Sequence, residues 1–279
     1  MTLLCSSIEA GHQSIWIAFG LTTIAGLSTG IGSLIAFTAK RTNTKFLCAS
    51  LGFSAGVMLY VSFMDLIPIA KEALVSHFGE KTGMLGLLIA FFGGMGLITL
   101  IDFLIPENNN PHELQGVEDM NKPGGNRQKS LHRTGIIVAL SIVAHNLPEG
   151  IAAFTSAMSS GLSVAIPITI AIAIHNIPEG IAVSVPIYQA TGSKRKAFWL
   201  SFLSGLAEPV GALIAFFFLM PFWTPLMNGI VMAAVAGIMV FISLDELLPT
   251  AEKYGEHHLS ISGLIAGMMM MALSLFLFI

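Results

Sequence analysis

Charged side chains are scarce in this chain of 279 residues, of which only 10% are Asp, Glu, Lys or Arg. In soluble proteins about a quarter of the residues are charged, whereas 54% of this sequence is hydrophobic. The composition excludes an ordinary soluble domain and indicates an integral membrane protein embedded in the lipid bilayer. The net charge of −3 is small, and the sequence has no basic patch that would indicate a nucleic-acid partner.

Cysteine is also rare, since Cys5 and Cys48 are the two in the chain. They are far apart and outside any C-x-x-C spacing, which excludes a disulfide framework and a thiolate metal site. No P-loop is present, so neither a nucleotide partner nor ATP-driven chemistry is expected. No Lys or Arg precedes Lys40, and the first apolar run is therefore interpreted as a retained membrane span rather than a signal peptide.

Eight apolar stretches are long enough to cross a bilayer, which takes about 20 residues in a helix. They cover residues 14–38, 46–69, 83–105, 131–157, 163–187, 196–220, 224–249 and 260–279. The prediction is an all-α integral membrane protein whose eight transmembrane helices form a single transmembrane domain over residues 1–279. Between the third and fourth spans, residues 106–130 are polar and contain several Pro, Gly and Asn, which is typical of a flexible loop.

Lysine and arginine are distributed unevenly between the loops. Eleven of the thirteen lie in or beside loops 1, 3, 5 and 7, and only Lys71 and Lys81 lie in the others. Cytoplasmic loops carry the excess of Lys and Arg in membrane proteins. The odd-numbered loops, including residues 106–130, are therefore predicted to be cytoplasmic, and both termini are predicted to face the external side.

The sequence contains two internal repeats. Residues 55–70, AGVMLYVSFMDLIPIA, match residues 236–251, AGIMVFISLDELLPTA, at a constant offset of 181. HNLPEG at 145–150 recurs as HNIPEG at 175–180. In both cases the copies fall on predicted spans that cross the membrane in opposite directions, as in many secondary transporters. We therefore expect a 3+2+3 arrangement of inverted repeats, with the Pro-broken fourth and fifth helices between two related triplets.

Small residues are concentrated in two of the predicted spans. GGMG occupies residues 93–96 in the third span, and AAVAG occupies residues 233–237 in the seventh. Small side chains allow helix backbones to approach closely within a membrane, so both runs predict close helix packing.

The two HN-x-PEG motifs place polar side chains inside apolar spans. His145 and Glu149 are four residues apart, as are His175 and Glu179, so each pair shares one face of a helix. The asparagine after each histidine can join the pair from the adjacent edge. The proline in each motif frees a backbone carbonyl, which must find another partner within a bilayer.

A bound divalent cation explains this combination of groups. A glutamate at the centre of a bilayer costs roughly 2.5 kcal/mol or more, and two facing glutamates also repel each other. A cation neutralises both, and neutral imidazole supplies a further ligand. Nitrogen and oxygen donors without thiolate favour zinc, iron(II), manganese or cobalt over copper(I), magnesium or calcium, and protons compete for the same groups. The alternative is that His and Glu satisfy only each other while the prolines kink the helices.

Five further residues are candidates for a cation pathway. Glu208 lies in the middle of the sixth span, is followed by a proline, and is predicted to be a ligand or a proton relay. Asp65, Asp245 and Glu246 lie near the ends of the second and seventh spans. They are either gating carboxylates or helix caps and ion-pair partners of nearby lysines. Met58 is either a soft ligand or a filler of the core.

These motifs make the chain resemble the ZIP (Zrt-, Irt-like protein) family of divalent metal transporters over essentially its whole length. HNLPEG and HNIPEG look like the signatures of that family's fourth and fifth helices. HNIPEGIAV, ATGSKR, SGLAE and AAVAGIMV…DELLP look like its bacterial ZupT branch. The loop at 106–130 departs from the His-rich eukaryotic pattern, since it holds only His112 and His132 lies just beyond its end. A metal sensor in this loop is therefore not expected.

The resemblance implies a multi-pass secondary transporter of the bacterial inner (plasma) membrane, with the termini on the periplasmic side. It implies uptake of Zn2+, Fe2+, Mn2+ and Co2+ into the cytoplasm, with cadmium and homodimer formation left open. These ions are transported substrates, and no catalytic cofactor is expected. The implied site holds two metal ions at the membrane midplane, bridged by Glu149 and Glu179. The other implied ligands are His145 and His175 at one metal ion, and Asn146, Asn176 and Glu208 at the second.

Three functions from other classes are alternatives to this interpretation. A channel-like metal uniporter would show fast flux without saturation, and an efflux carrier would move metal in the opposite direction. An intramembrane metalloenzyme is disfavoured because the sequence lacks H-E-x-x-H, and we therefore do not expect an enzyme.

Overall fold

The computed structural model describes residues 2–38, 44–104, 146–158, 162–191, 193–254 and 257–277. Within these ranges the chain forms helices joined by short turns and contains no strand, which confirms the all-α prediction there. The helices are α1 (Thr2–Thr38), α2 (Thr44–Val61), α3 (Ile67–Phe78), α4 (Glu80–Leu104), α5 (residues 146–158), α6 (Leu162–Thr191), α7 (Lys194–Gly205), α8 (Ala207–Ile214), α9 (Pro225–Ile242), α10 (Leu248–Tyr254) and α11 (His257–Leu277).

Six helical stretches of the described residues are long and apolar enough to span a membrane. They are Ile15–Ile35, Cys48–Phe78, Glu80–Phe103, Lys194–Phe222, Pro225–Glu252 and His257–Phe276. Each coincides with one of the predicted spans, and α6 coincides with the predicted fifth span. Of the predicted fourth span only α5 is described. The 3+2+3 arrangement of eight spans therefore stays a prediction, and the predicted loop at 106–130 lies outside the described residues.

The repeat of residues 55–70 at 236–251 appears as the same local distortion in both copies. A five-residue π-helical turn, Ser62–Leu66, joins α2 to α3, and its counterpart Ser243–Leu247 joins α9 to α10. The amide following each turn donates to the carbonyl five residues earlier. A proline two residues beyond each turn cannot donate to the carbonyl four residues before it. A widened turn at such a position is a common way for a helix to accommodate the missing hydrogen bond.

A buried serine begins each of the two π-helical turns. The Ser62 hydroxyl donates to the Met58 carbonyl, and the Ser243 hydroxyl donates to the Met239 carbonyl, both at 2.8 Å. These residues are separated by the same offset of 181 as the sequence repeat. The two copies therefore share their hydrogen bonding as well as their sequence.

The helices pack in two groups. In the larger group, α2 packs on α10 and α11, α4 on α9, and α3 on both α4 and α9. In the smaller group, α1 packs on α6, α7 and α8, and Phe154 of α5 contacts Phe19 of α1 with ring centroids 4.9 Å apart. The contact of α2 with α6 joins the groups. The polar motifs of α5 and α6 are thus enclosed by helices.

Close packing of the two small-residue runs is confirmed at the contact between α4 and α9. A Cβ atom added to Gly94 would overlap the Ala234 carbonyl, and one added to Gly237 would overlap the Phe91 carbonyl. Each backbone therefore touches the other where its partner lacks a side chain, as small residues allow in membrane helices.

We expect Gly94→Val to destabilise the protein because its side chain would force α4 away from α9. Overpacking of this kind costs about 1–3 kcal/mol, and the change should lower the thermal unfolding midpoint of the detergent-purified protein. Gly93→Val is the matched control, because a Cβ atom at Gly93 would have no neighbour within 4 Å among the described residues. Equal midpoints for the two variants would contradict the close contact.

Candidate metal centre

A cluster of three ionisable side chains joins the two HN-x-PEG motifs. Glu149 lies on α5, and His175 and Glu179 lie one turn apart on α6, all at most 5% exposed. One potential ligand atom from each residue lies within 4.8 Å of the others. The imidazole Nε2 of His175 is 3.1 Å from Glu149 Oε1. Two carboxylates and one imidazole, drawn from both motif copies, therefore share one centre.

The side chains of the two motif asparagines are held by hydrogen bonds to neighbouring helices. Asn146 Nδ2 donates to the Ser204 carbonyl of α7 at 3.3 Å. Asn176 Nδ2 donates to the Ala25 carbonyl of α1 at 2.9 Å and also to Glu208 Oε1. The Oδ1 atoms of both asparagines are buried and have no hydrogen-bond partner among the described residues. Both oxygens are therefore available to accept from, or coordinate, a ligand.

Glu208 brings a third carboxylate to the same region. The helix is interrupted beside Glu208, because α7 ends at Gly205 and α8 begins at Ala207. Glu208 lies in the first turn of α8, is fully buried, and is close enough to Glu149 and Glu179 for their negative charges to repel. Its Oε2 atom has no hydrogen-bond partner in the described part of the chain.

The glycine that ends each motif allows another helix to approach it closely. A Cβ atom added to Gly150 would overlap the carbonyl of Glu208, and one added to Gly180 would overlap the carbonyl of Thr29. The backbones of α8 and α1 can therefore lie directly against α5 and α6. This contact explains why a glycine follows each motif glutamate.

The predicted break at Pro178 is not found. The α6 helix is continuous over Leu162–Thr191. A proline removes one hydrogen bond, but the turns on either side can continue the helix when tertiary packing holds them. The description of the fifth span as Pro-broken is therefore wrong. The described part of α5 begins at Asn146, only two residues before Pro148, so a break in the fourth span stays a prediction.

The other predicted pathway residues lie away from this cluster or outside the described residues. His145 is outside the described ranges. Met58 is fully buried on α2, Asp65 lies in the first π-helical turn, and Asp245 and Glu246 lie in the second. Asp245 is exposed, whereas Glu246 is buried. The cluster of ligand atoms does not include these three acidic residues, and their role in a pathway stays a prediction.

Helix α1 is the part of this centre that the sequence interpretation missed. The Ala25 carbonyl holds Asn176, and the Thr29 backbone lies against Gly180. A main-chain carbonyl has no characteristic residue type, and the available signal was the run of small residues AGLSTGIGS at 25–33.

The charges of the site suit a bound cation. Glu149, Glu179 and Glu208 are all buried, and no Lys or Arg in the described part of the chain is buried with them. Burying carboxylates without a compensating charge is strongly unfavourable. Imidazole, carboxylate and amide donors together suit a divalent transition metal ion.

Comparisons with known proteins agree with this chemistry. Residues 104–275 match the family model described as "ZIP Zinc transporter". A zinc transporter ZupT from Clostridium perfringens is 59% identical over 279 residues, which cover 96% of this chain and 98% of the relative. Proteins of the same name from Lysinibacillus sphaericus and Streptococcus mutans are 60% and 58% identical, over 95% and 96% of this chain and 99% of each relative.

Proposed function

The chain belongs to the ZIP zinc transporter family, and we propose that it carries zinc across the membrane through Glu149, His175 and Glu179. The observation that carries this proposal is the buried cluster of these three side chains, whose potential ligand atoms lie within 4.8 Å of one another. A divalent cation balances the charge of the two carboxylates, and the three side chains replace part of its hydration shell. The relatives bear the names of transporters, which also argues against an enzyme.

We propose that the metal ion takes the place of the hydrogen bond between His175 Nε2 and Glu149 Oε1, which are 3.1 Å apart. Zinc binds imidazole at a nitrogen that carries no proton. Coordination at Nε2 therefore breaks this hydrogen bond and requires the tautomer of neutral imidazole whose proton is on Nδ1. Glu179 then completes the charge balance from the next turn of the same helix.

We propose that a second metal ion uses the oxygen donors beside this cluster. The Oδ1 atoms of Asn146 and Asn176 and the Oε2 atom of Glu208 are buried and without a partner among the described residues. An oxygen-rich set is harder than one with imidazole and suits iron(II) or manganese as well as zinc. This pairing of sites, bridged by Glu149 and Glu179, supports transport of zinc, iron, manganese and cobalt.

The proposed orientation has the start of α7 on the cytoplasmic side of the inner membrane and both termini on the external side. Lys194, Arg195 and Lys196 are exposed at the start of α7, and positive residues of this kind mark the cytoplasmic end of a span. The proposed direction of transport is into the cytoplasm. No nucleotide-binding motif is present in the sequence, so a secondary transporter is the mechanism that we propose.

Glu179→Ala should abolish zinc uptake, because the remaining ligands cannot balance the charge of the ion. The measurement is uptake of radiolabelled zinc into proteoliposomes that contain equal amounts of purified wild-type or variant protein. Glu252→Ala is the control, because Glu252 lies on α10 at the surface, where it contacts His257. We expect this variant to transport zinc as the wild type does.

Wild-type rates of uptake in Glu179→Ala would remove this residue from the transport path. Saturation of wild-type uptake with zinc concentration would support a carrier, whereas flux that rises without limit would favour the channel-like uniporter. Absence of uptake by the wild-type protein would contradict the proposal.

His175→Ala should impair zinc transport more than iron transport. Imidazole is a preferred ligand for zinc, while the carboxylate and amide oxygens that remain also bind iron(II). The check is competition between the two ions for uptake into the same vesicles, which should shift towards iron. An equal loss for both ions would show that the imidazole does not discriminate between them.

A further inference from the structure

Two serine hydroxyls lie buried between α1, α6 and α7, next to the motif but outside the set of metal ligands. Ser33 Oγ of α1 and Ser201 Oγ of α7 are 2.6 Å apart, and both residues are fully buried. Ser201 Oγ lies 3.1 Å from the Gly180 carbonyl of α6, and Ser33 Oγ lies 3.4 Å from it. Three helices therefore meet at one carbonyl.

The number of protons determines the direction of these hydrogen bonds. Each hydroxyl has one proton to donate and can accept at its oxygen. The short contact is satisfied when Ser33 donates to Ser201, and Ser201 then donates its own proton to the Gly180 carbonyl. Ser201 thus makes the direct contact with α6, and Ser33 orients the Ser201 hydroxyl.

The carbonyl that receives this hydrogen bond belongs to the residue immediately after Glu179. Gly180 has no side chain, and this allows the backbone of α1 to lie against α6 at this point. Gly180 lies inside the continuous helix α6. A shift of its carbonyl would move the Glu179 backbone as well, because hydrogen bonds between successive turns hold the residues of a helix together. The position of the Glu179 carboxylate is therefore coupled to Ser201.

The same turn of α7 also reaches the other motif copy. The Ser204 hydroxyl donates to the Ser201 carbonyl at 2.5 Å, and the Ser204 carbonyl accepts from Asn146 Nδ2 at 3.3 Å. One turn of α7 consequently holds HNIPEG through Gly180 and HNLPEG through Asn146. Four residues beyond Ser204, the same polypeptide supplies Glu208.

Serines elsewhere in the molecule show the usual behaviour of hydroxyls in membrane helices. Ser62, Ser184 and Ser243 are also buried, but each hydroxyl donates to a carbonyl of its own helix. Such local hydrogen bonds satisfy the hydroxyl without linking helices. Ser33 Oγ also lies 3.3 Å from the Thr29 carbonyl of its own helix. Its shorter hydrogen bond to Ser201 crosses between helices, and the Ser201 hydrogen bond ends beside a proposed metal ligand.

We propose that Ser201, oriented by Ser33, is a positioning residue that sets the distance between the two halves of the metal centre. The inference rests on the proposed function, since it assumes that Glu149 and Glu179 bind the transported ion. Loss of the Ser201 hydroxyl would leave Glu179 in place but less well fixed. Residues that orient metal ligands typically change metal affinity by about 10-fold or more when they are removed.

The test compares zinc uptake kinetics of Ser201→Ala and Ser184→Ala in proteoliposomes. Ser201→Ala should raise the KM for zinc by about 10-fold with little change in the maximal rate per inserted protein. Ser184→Ala removes a buried hydroxyl from α6 that donates only within that helix, and its KM should equal that of the wild type. A KM of Ser201→Ala equal to that of Ser184→Ala would overturn the proposal, as would a loss confined to the maximal rate.

Ser33→Ala provides a second variant if Ser201→Ala does not insert into vesicles. It should raise the KM by a smaller factor, and it should add nothing in the background of Ser201→Ala, because Ser33 acts through Ser201. Additive effects of the two substitutions on the KM, or no effect of Ser33→Ala, would contradict the proposal that Ser33 acts through Ser201. Failure of the wild type to take up zinc, or normal uptake by Glu179→Ala, would overturn the proposed function and this inference together.

Discussion

The structure depends on negative charge that is buried among apolar helices. Glu149, Glu179 and Glu208 converge where the described residues bury neither Lys nor Arg. Carboxylates in such surroundings are tolerated when a cation compensates them. A transported ion satisfies this requirement only while it is bound, and its departure restores the unfavourable charge. This alternation gives the site a physical reason both to capture an ion and to exchange it.

The surrounding helices hold the ligand atoms with neutral groups. Main-chain carbonyls of Ala25 and Ser204 fix the amide nitrogens of Asn176 and Asn146, while the amide oxygens have no hydrogen-bond partner among the described residues. Glycines 150 and 180 bring the supporting backbones into contact with the motif helices. Positioning by neutral dipoles adds no charge that would compete with the cation, and donors placed in advance reduce the ordering that binding must impose.

The sequence was sufficient to predict the core of this centre. Glu149, His175 and Glu179 were identified because a four-residue spacing places His and Glu on one helix face and because charged groups are rare in such segments. The repeat at an offset of 181 likewise predicted two similar helices. It could not predict the matching π-helical turns, since a helix can accommodate a proline by a kink, a widened turn or a break.

Other features depended on tertiary contacts that no single residue type marks. The contribution of α1 relies on the Ala25 carbonyl and on the Ser33 hydroxyl, and neither resembles a metal-site motif. The expected break at Pro178 was wrong because packing against α1 and α7 can preserve a helix that has lost one hydrogen bond. The sequence did not decide whether Asp65 and Glu246 act as gating carboxylates or as helix caps. Their position in the π-helical turns is compatible with either role.

The central claim is that the buried carboxylates and the imidazole are the ligands of the transported ion. X-ray absorption at the zinc edge of the purified, zinc-loaded protein tests it most directly. We expect a shell of nitrogen and oxygen atoms at about 2.0–2.2 Å, with multiple scattering from imidazole and no sulfur at about 2.3 Å. A shell that contains sulfur, or one that lacks imidazole, would place the ion elsewhere and contradict this account of the site.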